Sequence, residues 1–174
     1  MPKDRPLIYW DSCVFISWLQ RDRDGAEMQG ILTCLESVYS GERILMTSAA
    51  MRTEVLPGKI PPSVAEDFER FLSRKNVVVV DIDPRIGELS GKLRDFYINQ
   101  SKLDGKPQLA PMDAIHLATA IHYEADAFHT FDDGGEGARK SRSLLSLNGN
   151  VAGHDLVICK PPVSGQLVLL ELMP

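Results

Sequence analysis

The sequence contains few cysteines, and their spacing excludes the sites that cysteines usually build. Cys13, Cys34 and Cys159 are odd in number and far apart, and they form no CxxC pair. Neither a disulfide framework nor a thiolate zinc site is therefore expected. We interpret the three residues as reduced thiols.

Long apolar runs are also missing from the chain. No stretch approaches the roughly 18 consecutive apolar residues that a membrane span requires. The first residues, MPKDRPL, lack the apolar segment of a secretory signal. We expect a soluble, cytoplasmic protein that makes no membrane contact.

An excess of basic residues is absent, because 24 Asp and Glu outnumber 19 Lys and Arg and give a formal net charge of −5. Such a chain is a poor candidate for coating nucleic acid, since non-specific duplex binding depends on a basic surface that displaces phosphate counterions. An acidic protein can still bind a polyanion at one place if its carboxylates converge on divalent cations, because the metals reverse the local field.

The length and composition fit one ordinary globular unit. The chain has 174 residues, of which 44% are hydrophobic and 25% charged, and a single hydrophobic core commonly serves a chain of this size. No repeat, low-complexity tract or long linker divides it. We expect a single domain over residues 1–174.

Short apolar segments alternate with helix-like segments along the chain. Strands are predicted at 6–10, 43–48, 77–82, 127–131 and 155–160, without the strict polar alternation of a half-exposed sheet. Helices are predicted at 12–20, 48–56, 61–74, 84–100 and 111–125. This alternation predicts an α/β fold of three layers, α/β/α, with a central parallel sheet of about five strands. Residues 101–110 and 132–143 are expected to be loops, and 167–172 is either an edge strand or a partner-binding tail.

Acidic residues stand near the ends of predicted strands and the starts of predicted helices. Asp11, Asp132 and Asp133 follow strands, and sites in open parallel sheets form at the carboxyl edge. Glu54 lies in a helical pattern, and Asp113 lies in the first turn of an apolar helix. Each has a simpler alternative: helix capping for Asp11, a solvated charge for Glu54 and a favourable contact with the helix dipole for Asp113.

A cluster of these carboxylates would select hard divalent cations, Mg²⁺ or Mn²⁺. Without a cation, mutual repulsion would raise the pKa of some of the carboxyl groups. The chemistry that such a site favours is two-metal hydrolysis of phosphodiester bonds. His116 shares a helix face with Asp113 and is either a site residue or a buried imidazole with satisfied hydrogen bonds.

Four segments, in order along the chain, resemble motifs of the PIN (PilT N-terminus) domain nucleases, particularly the VapC-type toxin ribonucleases. The segments are IYWDSCVFI, MTSAAMRTEVLPG, PMDAIHLATAI and AFHTFDD. The resemblance implies a PIN-like fold and an endoribonuclease, a hydrolase that depends on Mg²⁺ or Mn²⁺. It also implies that the protein is the toxin of a toxin-antitoxin module, with RNA as its substrate, an antitoxin protein as a partner and a homodimer as its assembly.

The resemblance also implies roles for individual residues. The acidic site that it implies consists of Asp11, Glu54, Asp113 and Asp132. Asp11, Asp113 and Asp132 are its expected metal ligands, with Ser12 and Thr130 as polar supports. Asp132 takes precedence because it stands two residues after Thr130. Asp133 stays an alternative, because GGEGARK replaces the phenylalanine that usually follows the last acid.

A basic run after this last motif is predicted to contact the phosphates of RNA, or else to be an ordinary solvated loop. It consists of Arg139, Lys140 and Arg142. Large apolar residues in FISWL and in the tail LVLLEL, namely Phe15, Trp18, Leu169 and Leu170, are predicted to form a dimer or partner surface, with burial in the core as the alternative.

A second function remains open at this point. A PIN-like module that binds RNA or a protein partner without cutting would keep its acids for structure alone. Metal-dependent cleavage of a mixed RNA pool distinguishes it from the ribonuclease.

Overall fold

The computed structural model describes residues 5–55, 61–135 and 141–163. Its strands are β1 (Leu7–Trp10), β2 (Ile44–Ser48), β3 (Val77–Val80), β4 (Ala127–His129) and β5 (Ile158–Cys159). They form one sheet in the order β3-β2-β1-β4-β5, and every neighbouring pair is parallel. The predicted parallel sheet of about five strands is confirmed.

Helices occupy much of the described chain between the strands. Their bounds are α1 (Ser12–Gln20), α2 (Gly25–Ser40), α3 (Met51–Val55), α4 (Pro62–Leu72), α5 (Pro84–Asp104) and α6 (Pro111–His122). A short 3-10 turn, Leu145–Leu147, precedes β5. None of the helices in the described ranges is both long and apolar enough to cross a membrane.

Side chains that alternate along β1 divide the core into two halves. Leu7 and Tyr9 pack on one face of the sheet with buried residues of α5 and α6. Ile8 and Trp10 pack on the other face with α1, α2, α3 and α4. All four residues are buried because the sheet is covered on both sides, as expected for parallel strands. The three-layer α/β/α fold is therefore confirmed.

The structure differs from the predicted elements in three places. Helix α2 was not predicted, although Asp24 caps its start by accepting the Glu27 N–H and Gly41 ends it at a φ of 84°. Residues 101–104 continue α5 instead of opening a loop. The strands β3 and β4 end earlier than predicted because the chain leaves the sheet for the segments that follow them, and β5 is shorter mainly because it begins only at Ile158.

The part of the predicted apolar surface that lies on α1 is at least partly buried. Phe15 is fully buried and stacks edge-on against Trp10 and Phe68, so its prediction as a surface residue is wrong. Trp18 is partly buried against Phe71. Leu169 and Leu170 lie outside the described residues.

Candidate active site

The central strand β1 ends by delivering Asp11 to the carboxyl edge of the sheet. The Asp11 N–H donates to the carbonyl of His129 at 3.1 Å, which continues the pairing of β1 with β4. Its backbone is extended, and its carboxylate accepts the Ser12 N–H at the start of α1. Asp11 therefore caps α1, which was one of its two predicted roles. The same hydrogen bond keeps its carboxylate at this edge of the sheet, where Asp11 is only 4% exposed.

Both oxygens of the Asp11 carboxylate accept hydrogen bonds. The Ser12 N–H donates to Oδ1 at 2.7 Å. The hydroxyl of Thr130 donates to Oδ2 at 2.8 Å, and the thiol of Cys13 donates to the same oxygen at 3.1 Å. Ser12 and Thr130, which were expected to be polar supports, thus lie directly against Asp11.

Glu54 and His116 lie beside Asp11 from two other elements. The Glu54 Oε2 of α3 is 2.9 Å from the His116 Nε2 of α6, and that nitrogen is 3.9 Å from the Asp11 Oδ1. The His116 side chain is fully buried, whereas that of Glu54 is 28% exposed. One ligand atom from each of the three residues lies within 4.8 Å of the others.

Asp113 completes the group electrostatically from the first turn of α6. Burial raises its pKa from 3.8 to about 7, and the negative charges of Asp11, Asp132 and Glu54 add to that increase. The neighbouring His116 acts in the opposite direction. Burial is the larger cause of the increase, and the repulsion among carboxylates that was expected adds to it.

Asp132 contributes from the loop after β4. Its N–H donates to the Thr130 hydroxyl oxygen at 3.0 Å, and its Oδ1 accepts the Gly134 N–H at 2.8 Å. Burial raises its pKa, and so does the charge of Asp11. Asp133 is exposed and accepts the Gly135 N–H at 3.2 Å. Of the two candidates for the last acid, Asp132 is the less exposed one, and its N–H contacts the Thr130 hydroxyl that also donates to Asp11.

Of the residues in the basic run, Arg142 is the one that the structure describes. Arg142 is only 5% exposed, and its guanidinium donates to both carboxylate oxygens of Asp104 at 3.2 Å and to the Pro107 carbonyl at 2.8 Å. It also lies over the Tyr97 ring. These contacts argue against its predicted role in holding phosphates. Arg139 and Lys140 lie outside the described residues.

Comparison with known families assigns this chain to a protein family. A sequence profile of the PIN domain matches residues 8–139, which include the four acids. The chain belongs to the PIN domain family. A sequence comparison of this PIN domain protein with curated proteins gives no match.

Solved structures with a similar fold include toxins and toxin-antitoxin complexes. VapBC2 from Rickettsia felis, bound to a DNA fragment from its promoter, is 13% identical with a TM-score of 0.57 and covers 87% of this chain and 96% of that one. VapC20 from Mycobacterium tuberculosis, a toxin that cleaves the sarcin-ricin loop, is 13% identical with a TM-score of 0.52, and the match covers 72% of this chain and 90% of that one. A toxin-antitoxin complex from Klebsiella pneumoniae is 19% identical with a TM-score of 0.52, and the match covers 86% of this chain and 99% of that one. At these identities the likeness concerns the PIN fold.

Two residues at the site of this PIN domain were not predicted from the sequence. Cys13 contacts Asp11 and Thr130, and burial raises the pKa of its thiol well above the ordinary value. Tyr9 contacts His116 with its hydroxyl at 2.7 Å. The signal for Tyr9 was its position two residues before Asp11, since alternate residues of a strand face the same way.

The donor set of this PIN domain fits a hard divalent cation. Asp11, Glu54 and His116 offer ligand atoms within 4.8 Å of one another, and the charges of Asp11, Asp132 and Glu54 act on Asp113. A cation would reduce that repulsion. The expected ligands Asp11, Asp113 and Asp132 would hold it through carboxylate oxygens, which Mg²⁺ and Mn²⁺ prefer.

Proposed function

We propose that this protein is a metal-dependent endoribonuclease and the toxin of a toxin-antitoxin module. The observation that carries the proposal is the group formed by Asp11, Glu54 and His116, whose ligand atoms lie within 4.8 Å of one another. The negative charges of Asp11, Asp132 and Glu54 also act on Asp113, which supports a shared acidic site. Membership of the PIN family and the likeness to VapC structures support it.

The chain's own residues would prepare the site for phosphodiester hydrolysis. Hydrogen bonds to both oxygens hold Asp11 in place, so that it needs no rearrangement on binding a cation. Glu54 and Asp132 are only half-buried, so the cluster is open to solvent on their side. Bound divalent cations would lower the pKa of a water nucleophile and neutralise charge on the leaving oxygen.

The partners follow from the same proposal. We propose RNA as the substrate, an antitoxin protein as the inhibitor, a cytoplasmic location and a homodimer of single-domain chains that span residues 1–174. Arg139 and Lys140 remain the proposed phosphate contacts. Light scattering of the purified chain tests the dimer: a mass of 19.3 kDa at high protein concentration contradicts it, and twice that mass supports it.

A cleavage assay tests the central claim. Purified wild type is incubated with a mixed RNA pool in Mg²⁺ or in EDTA, beside Asp11→Asn as the matched variant. We expect wild type to cleave RNA in Mg²⁺ but not in EDTA, which removes the cation. Asp11→Asn should not cleave in either buffer, because it removes one ligand charge and keeps the shape of the side chain. Equal activity in wild type and Asp11→Asn contradicts the ribonuclease. An absence of cleavage together with RNA binding favours the non-cutting PIN module.

A further inference from the structure

A chain of buried hydrogen bonds leads from the sheet to Glu54. The Ser48 N–H donates to the Tyr9 hydroxyl oxygen at 3.0 Å. That hydroxyl is 2.7 Å from the His116 Nδ1, and the His116 Nε2 is 2.9 Å from the Glu54 Oε2. Tyr9 and His116 are both 0% exposed. The chain therefore joins a rigid strand to the acidic cluster without passing through solvent.

The direction of these hydrogen bonds follows from what each group can donate. An ionised carboxylate only accepts, so the His116 Nε2 carries a hydrogen and donates it to Glu54. The Tyr9 oxygen accepts the Ser48 N–H and also contacts the His116 Nδ1. The Tyr9 hydroxyl can donate to Nδ1 of the neutral ring and accept from Nδ1 of the charged ring. In both forms of the ring, Nε2 therefore carries a hydrogen that it donates to Glu54.

The hydrogen bond from His116 restricts the rotamers of Glu54. Glu54 lies in α3, and its side chain is 28% exposed. Donation from a fully buried imidazole therefore helps to fix a carboxylate that also faces solvent. A buried donor of this kind is how proteins orient residues around metal sites.

We propose that His116, held by Tyr9, is a positioning residue that fixes the Glu54 carboxylate at the cluster and does not itself bind the metal. A histidine ligand must offer a deprotonated nitrogen to the cation. Here Nε2 is engaged with its hydrogen towards Glu54, and Nδ1 faces Tyr9 inside the core. The proposal rests on the proposed function, since it assigns a task to His116 within that site.

Nuclear magnetic resonance tests the proton position without any RNA. The chain has four histidines, so long-range ¹H–¹⁵N spectra of ¹⁵N-histidine protein resolve them, and loss of one signal set in His116→Gln assigns His116. We expect a protonated Nε2 before and after addition of Mg²⁺, and faster exchange of that proton in Glu54→Ala. Loss of the Nε2 proton on adding Mg²⁺ would show direct ligation and overturn the proposal.

Kinetics and Mn²⁺ binding test the positioning itself. We expect His116→Ala to lower kcat by about 10- to 100-fold with KM nearly unchanged, as for other residues that orient a metal site through hydrogen bonds to its ligands. His116→Gln keeps a side-chain N–H donor and should recover much of that loss. Tyr9→Phe should lower kcat by a smaller factor, with Mn²⁺ affinity close to that of wild type. His122→Gln, on the same helix, is the control and should behave like wild type.

A double-mutant cycle separates positioning from an independent role. If His116 acts only through Glu54, His116→Ala should change kcat by less than about 3-fold in a Glu54→Ala background, against about 10- to 100-fold in the wild-type background. Losses that multiply would overturn the proposal, and so would a fall in Mn²⁺ affinity on His116→Ala that is equally large in the wild-type and Glu54→Ala backgrounds. If wild type cuts no RNA at all, the proposed function fails, while the proton position of Nε2 still decides the role of His116.

Discussion

The last two acids of the cluster are neighbours in sequence but have different surroundings. Asp132 is half-buried and its pKa is raised by burial and by the charge of Asp11, whereas Asp133 is exposed and caps its own turn through Gly135. We expect Asp132→Asn to lower RNA cleavage by about 100-fold or more and Asp133→Asn by less than about 3-fold. Rates on one RNA at saturating Mg²⁺ measure both, and the reverse order would show that Asp133 is the functional acid.

The raised pKa of Asp113 makes the metal-free protein sensitive to pH. Its value is about 7 in the fold against an ordinary 3.8, so the native state holds more protons than the unfolded state between these values. The resulting stability is fully present below the lower value and is lost as pH rises through about 7. In EDTA, we expect wild type to melt roughly 4–8 °C lower at about pH 8 than at about pH 5.5, a difference on the order of 2 kcal/mol.

Asp113→Asn tests whether that pH dependence comes from Asp113. The amide cannot ionise, so the variant should melt at more nearly equal temperatures at the two pH values, while Asp133→Asn should keep the behaviour of wild type. An Asp113→Asn protein with the full wild-type pH dependence would assign the effect to other groups.

The positions of the acids along the strands and helices could be predicted from the sequence, but the hydrogen bonds around them could not. Asp11 and Asp132 follow strands, and a strand end has a fixed place in a parallel sheet. The contact of His116 with Glu54 depends on how α3 and α6 pack across 62 residues of chain, and no spacing in the sequence encodes that distance. The same holds for the Cys13 thiol, which reaches Thr130 only when β1 and β4 pair.

At the scale of elements, helix α2 is fixed against the chain after β5 by a glycine. A Cβ built on Gly30 would overlap the Pro161 carbonyl oxygen, which is backbone and cannot turn aside. We expect Gly30→Ala to destabilise the fold by about 3 kcal/mol or more, because either α2 or residues 161–163 must shift. Urea or thermal unfolding measures the loss.

A second glycine provides the matched control for this prediction. Gly91 lies within α5, and a Cβ there meets no heavy atom within 4 Å. Gly91→Ala should therefore stabilise the protein by about 1 kcal/mol, the usual gain of helix propensity. If Gly30→Ala had the same unfolding free energy as wild type, or a higher one as expected for Gly91→Ala, the close approach of α2 to Pro161 would be absent in solution.

The same helix shows what element prediction missed. The start of α2 is polar, and its cap is an Asp followed by Gly25, a pattern that also occurs in turns. The sequence nevertheless carries a helix signal that was missed, because Ile31, Cys34, Leu35 and Val38 follow the i, i+3, i+4, i+7 spacing of one helix face. That face is buried in one cluster with residues of β1 and α4. The other helices carried Ser or Pro at their starts and were recognised, with errors of a few residues at their ends.

At the scale of the whole molecule, metal binding should be visible as stability. A ligand that binds only the native state adds about 2.7 kcal/mol at a hundred times its Kd, or roughly 5–10 °C in Tm for a chain of this size. We expect this increase with Mg²⁺ or Mn²⁺ in wild type, measured by thermal unfolding. The increase should be absent in the Asp11→Asn, Asp113→Asn double variant, and a shift that survives there would place the ions elsewhere.

The order of strands in the sheet also sets when the site can exist during synthesis. Strand β1 lies at the centre, and Ile8 pairs with Ala127, so β1 is synthesised long before its partner β4. Thr130 and Asp132 are made later still, and parallel pairing over such distances forms slowly. A nascent chain that has not yet reached residue 132 therefore lacks part of the acidic cluster, and the proposed ribonuclease site is incomplete until then.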